Sequence, residues 1–149
     1  MGFMRAEEVM LPMRFLVMTA HFIAVVTIMF DLDTLASQLL LGDGSQADLY
    51  SQPQFQETRT RLRSLAASAL ACFAVEYAGL FAGASLFMRG HTCLYIILHF
   101  AGAVLTGLFY TRAWAIGAFA VFFAVFNCLP AALELLTLLF VMRVSVVSY

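Results

Sequence analysis

Four ionisable residues, His21, Glu76, His99 and Glu134, stand inside otherwise apolar stretches of this chain. Imidazole and carboxyl groups in such surroundings can pair with one another, relay a proton or ligate a transition metal. Glu76 is the single charge between Ser64 and Phe87. An unpaired charge at the centre of a membrane helix costs about 2.5–3.5 kcal/mol, so each of these groups must be turned toward a partner. The helical stripe through Glu76 is Ala69, Cys72, Glu76, Gly79 and Gly83, small throughout and containing a Gly-x-x-x-Gly spacing, which lets helices approach closely. His99 shares a stripe with Gly102, Ala103 and Thr106; Glu134 with Asn127, Ala131 and Thr137; His21 with Met18, Ala24 and Val25.

Depth then suggests partners. His21 lies ten residues into its run and Glu76 near the middle of its own. His99 and Glu134 fall on the same side of the membrane, each about 10–12 Å in at ~1.5 Å per residue. Two pairs are expected: His21 with Glu76, and His99 with Glu134. Structural pairs locking helices in register are the first reading. A proton or ion path, a metal centre of two His and two Glu, and a bis-histidine haem between His21 and His99 are the chemical alternatives. No His-x-x-x-His or Glu-x-x-His spacing supports a metal, haem would leave both acids unexplained, and the pairs form two separate layers. No metal and no cofactor are therefore expected.

The elements that must position these groups are four apolar runs, 11–30, 64–87, 92–110 and 113–142, each near the ~20 residues that a bilayer requires. The chain is 63% hydrophobic and 11% charged, more apolar than a soluble domain of 149 residues can bury. An all-α, single-domain bundle of four transmembrane helices (1–149) follows. The first run is read as a retained helix rather than a cleaved signal, because it is long and lacks a small-x-small cleavage site. The last run is longer than the core requires, so it is expected either to kink at Pro130, which frees the carbonyl of Phe126, or to project beyond the lipid. The long first loop, 31–63, carries DTLASQLLLGDG, read as a short interfacial helix capped by Asp33, stopped at Gly42, with its leucines on the bilayer surface. SQPQFQETRTRLRS reads as an exposed linker leading into an extension of the second helix.

The three cysteines, 72, 93 and 128, form no CxxC spacing and no disulfide framework; Cys72 and Cys128 read as buried, and Cys93 lies near a membrane edge where acylation is an option. Arg5, Arg14, Arg89 and Arg143 fall on the side of the termini and Arg59, Arg61, Arg63 and Arg112 on the other, so arginine counting leaves orientation open. Net charge is −1, there is no lysine, and the scattered arginines give no nucleic-acid footprint. No nucleophile elbow, P-loop or dinucleotide fingerprint occurs, and the chain reads as non-enzymatic. The His-Phe shared by AHFIAVV and LHFAGAV, with an acid following in each half, allows an internal duplication.

MRFLVMTAHFIAVVTIMF (13–30), FAVEYAGLFAGASLF (73–87) and LPAALELLTLLFV (129–141) resemble the transmembrane protein 107 family across all four helices. Loop one and the tail RVSVVSY lie outside the likeness. The resemblance implies a non-enzymatic membrane component of the ciliary transition zone, with both termini in the cytosol. It further implies assembly in the Meckel-syndrome module with tectonic proteins and meckelin. That module forms a diffusion gate that sets ciliary membrane composition and supports ciliogenesis and Hedgehog signalling. A lipid- or sterol-binding bundle, with a Phe-lined cleft reaching the inner helices, is the rival expectation.

Overall fold

The computed structural model describes residues 6–41, 50, 52–83 and 89–147. Among them the chain is helical: α1 (Ala6–Phe30), α2 (Leu32–Leu41), α3 (Pro53–Ala82), α4 (Arg89–Arg112), α5 (Ile116–Phe123), a π-turn (Ala124–Cys128) and α6 (Leu129–Val147). Four stretches are long and apolar enough to cross a membrane: Val9–Phe30, α3, α4, and Ile116–Arg143, the last joining α5, the π-turn and α6. Pro130 has no N–H to offer the Phe126 carbonyl. The disturbance expected there takes the form of the π-turn, in which the Leu129 N–H reaches back five residues to the Ala124 carbonyl.

The buried positions step by three and four along each long helix. They are Arg14, Met18, His21, Val25 and Ile28 on α1, and Leu62, Ala66, Ala69, Phe73, Glu76 and Leu80 on α3. On α4 they are Thr92, Tyr95, His99, Gly102, Thr106 and Phe109. Such a narrow stripe is the seam of helices that cross at small angles, with everything outside it left to lipid. The stripe on α3 passes through Phe73 rather than Cys72, which is only half-buried. Ala69 and Gly102 lie in the seam, whereas Ala103 is half-buried beside it.

The most extensive contact joins α1 to α4, which are not consecutive spans. These two run parallel: Arg14 meets Tyr95, His21 meets His99, and Asp31 meets Tyr110, advancing along both helices together. α3 pairs the same way with the π-turn and α6, with Cys72 beside Cys128 and Gly79 against Glu134. The bundle is therefore held by two parallel pairs, by the packing of α1 on α3, and by that of α4 on α5 and the π-turn.

Loop one departs from expectation. α3 begins at Pro53, not Ser64, so the Gln-rich segment is helix and not linker. α2 begins at Leu32; Asp31 occupies the capping position, its carbonyl accepting the Leu35 N–H at 3.0 Å, and Asp33 sits in the first turn. The apolar face of α2 is not laid on lipid. Leu32, Leu35 and Ala36 are buried in the same cluster as Phe55 and Leu62 of α3, and Asp33 accepts a hydrogen bond from Arg59 across the pair. At the other end of α3, Gly83 adopts φ 74° and its N–H bonds the Leu80 carbonyl, ending the helix. Gly83 is thus a cap, and the Gly-x-x-x-Gly spacing is not one helical face. The expected stop at Gly42 and the 84–87 end of the second run lie outside the described residues, as does Arg5.

Candidate functional site

Two layers of polar side chains lie in the seam. In the first, Nε2 of His99 is 2.6 Å from Oε2 of Glu76, and Nδ1 of His99 is 3.3 Å from Nδ1 of His21. In the second, Nη2 of Arg14 donates to Oε2 of Glu134 at 2.9 Å, and the Arg14 guanidinium lies 4.1 Å above the ring of Tyr95. All five ionisable side chains have zero exposure.

Both expected pairings are therefore corrected. Glu76 bonds His99, not His21; Glu134 bonds Arg14, not His99; His21 is joined to the other imidazole. Depth counted from Thr92 puts His99 too near the membrane edge. α4 begins at Arg89, which places His99 ten residues in, level with His21. Glu134 meets Arg14, one of the four arginines that the sequence assigns to the side of the termini. Arg14 was missed because it lies near the start of its apolar run. The signal that finds it is its place seven residues before His21, two turns along the same stripe.

Each pair is seated by a glycine on the facing helix. A Cβ at Gly102 would lie 2.5 Å from Cε1 of His21, and one at Gly79 would overlap the carboxyl and Cγ of Glu134. These glycines supply the room that brings α1 onto α4 and α6 onto α3. Phe73 closes the first layer, edge-on to His21 at 5.1 Å and tilted against His99 at 5.8 Å.

The chain Glu76–His99–His21 has two self-consistent hydrogen arrangements, both with neutral imidazoles. In one, His99 donates Nε2–H to the carboxylate and accepts the His21 Nδ1–H. In the other, a protonated Glu76 donates to His99, which donates Nδ1–H to His21. The arrangements differ by one proton, entering at His21 Nε2 and appearing on Glu76. The atoms His21 Nε2, Glu76 Oε1 and Asn127 Nδ2 are buried without a hydrogen-bond partner. Among the described residues no three His, Cys, Asp or Glu side chains converge as metal ligands. The two imidazoles that a haem would hold apart bond each other directly.

This seam runs through the part of the chain that known sequences share. The family model TMEM107, described as a transmembrane protein, matches residues 10–138. The chain belongs to the TMEM107 family. Curated transmembrane protein 107 sequences are similar along nearly their whole length. That of Danio rerio is 29% identical over 136 residues, covering 91% of this chain and 96% of the fish protein. That of Xenopus laevis is 28% identical, covering 89% and 91%, and that of Homo sapiens 26%, covering 85% and 86%. No solved structure matches. The TMEM107 match includes Arg14, His21, Glu76, His99 and Glu134, so both polar layers lie within the family region.

Proposed function

We propose that this chain is a non-enzymatic membrane scaffold of the ciliary transition zone, contributing to the diffusion gate that governs ciliary membrane composition, ciliogenesis and Hedgehog signalling. Membership of the TMEM107 family supports the reading, together with the role that the family resemblance implies. The structural observation that carries it is the division between interior and surface. The charged groups of the core are matched to one another inside, while the outer faces present Leu94, Ile97 and Phe100 on α4, and Leu136, Leu139 and Phe140 on α6. Large apolar side chains on a rigid bundle are what neighbouring transmembrane helices and lipid can pack against. The partners we assign to those faces are tectonic proteins and meckelin, with both termini of the chain in the cytosol. The buried polar layers act as structural pairs that hold the presenting faces in place.

Localisation with proximity labelling in ciliated cells tests the assignment. Wild-type chain is expected at the ciliary base, labelling tectonics and meckelin. Glu76→Ala, which strips His99 Nε2 of its carboxyl partner, is expected to misfold and lose both. An Ile97→Ala/Phe100→Ala variant, altered only on the outer face, is expected to fold and to label those partners less. Normal recruitment and labelling by Glu76→Ala would count against the scaffold.

A further inference from the structure

Between α3 and the start of α5 lies a groove of about 290 Å³ lined by Arg61, Ser64, Leu65, Ile116, Gly117 and Ala120. Its place along the bundle is set by sequence. Arg61 stands just before the uncharged run that opens at Ser64, and Ile116 opens the fourth span directly after Arg112 and Trp114. The mouth is therefore at headgroup level and the floor, Leu65 to Ala120, descends toward the acyl chains. Arg61 is exposed and makes no ion pair with any described residue. Nothing stands over Gly117, where an added Cβ would meet no atom within 4 Å. Ala115, at the start of α5, offers no side-chain cap, so the first N–H groups of that helix add to the positive character of the mouth.

A second groove of similar size, about 310 Å³, lies near the opposite membrane face. It is lined by Leu11, Pro12, Phe15, Leu80 and Phe81 and has no charged residue. What is particular to the first is a free guanidinium over an apolar floor. We propose that the α3–α5 groove binds one anionic phospholipid of the leaflet on the loop-one side. Its phosphate is held by the guanidinium of Arg61, since the Ser64 hydroxyl already donates to the Arg61 carbonyl at 2.9 Å, and an acyl chain lies along Leu65, Ile116 and Gly117. A guanidinium offers a phosphate two parallel donors, which a sterol hydroxyl cannot use. The site is independent of the scaffold reading, whose placement of the termini in the cytosol would put this leaflet on the non-cytosolic side, and it survives if that reading fails.

Native mass spectrometry of the full chain, released from a neutral detergent with equal amounts of phosphatidylglycerol and phosphatidylcholine, tests it. Wild-type chain is expected to retain one phosphatidylglycerol in preference. Arg61→Gln should weaken that retention about five-fold, the weight of one arginine against an anionic headgroup, and leave phosphatidylcholine unchanged. Arg61→Lys should restore most of the preference, and Gly117→Leu, which fills the floor, should abolish the retained lipid. Equal retention of the two lipids, indifference to Arg61→Gln, or preferential retention of added cholesterol would each overturn the proposal.

Discussion

Nη2 of Arg14 lies 2.9 Å from Oε2 of Glu134, 120 residues away in the chain, with both side chains closed off from the outside. Breaking such a pair from one side strands a charge in a medium that cannot solvate it, at a cost of about 3–5 kcal/mol. Arg14→Met and Glu134→Leu should each destabilise the bundle by that order. Arg14→Met/Glu134→Leu should lose much less than their sum, since neither charge is stranded. Denaturant titration of the four proteins in one detergent measures the coupling; additive losses would show that the pair does not act as a unit.

The glycines facing the polar layers should differ sharply from those that face nothing. Gly102→Ala drives a methyl into the His21 ring and should destabilise by about 1–3 kcal/mol, as should Gly79→Ala against Glu134. An added methyl at Gly107 would meet nothing within 4 Å, so Gly107→Ala should stabilise by about 0.5–1 kcal/mol through helix propensity alone. Melting temperatures in detergent read both signs in one experiment.

Asp31 gives stability a defined acid dependence at the loop-one edge. Its carboxylate accepts hydrogen bonds from Thr34 and from the Tyr110 phenol at 2.6 Å, and both hold it below its ordinary value of 3.8. A carboxyl lowered by folding contributes stability that is present above its unfolded pKa and is lost as pH falls through the folded one. Thermal stability should therefore fall as pH drops below about 4, and less steeply in Asp31→Asn and Tyr110→Phe. Parallel curves for wild type and Asp31→Asn would remove this group from the account.

Ala113, in the turn after α4, has φ 46°, a left-handed conformation that costs a side chain about 1 kcal/mol and glycine almost nothing. Ala113→Gly should raise the melting temperature slightly, and Ala113→Val should lower it. A loss of stability in the glycine variant would mean that the turn tolerates its alanine without strain.

The spans were legible because twenty consecutive apolar residues have one meaning in a bilayer, and the inward placement of His21, Glu76, His99 and Glu134 followed from the cost of leaving them in lipid. Their partners were not legible. Depth counted from the ends of runs carries an error of three residues when a helix begins at Arg89 rather than Thr92, about 4.5 Å at ~1.5 Å per residue, enough to exchange one carboxylate for another. Arg14 was read as an edge marker because an arginine near a membrane edge usually is one; the 14–18–21–25–28 stripe held the contrary signal. Loop one misled for a different reason. Glutamine, threonine and arginine at 52–61 read as solvated linker, yet Phe55 and Leu62 complete a stripe that gives the polar face something to stand behind. The glycine at position 83 had the right spacing for packing and the wrong backbone for it.

The unbroken run of α3 from Pro53 to Ala82 makes it a lever whose fulcrum is in the membrane. Phe55 lies eighteen residues from Phe73, about 27 Å along the axis, so a tilt change of about 10° at the imidazole layer would sweep the outer end through about 5 Å. Because α2 is clasped to that arm through Leu35, Phe55 and Leu62, any change in the tilt of α3 would carry α2 with it.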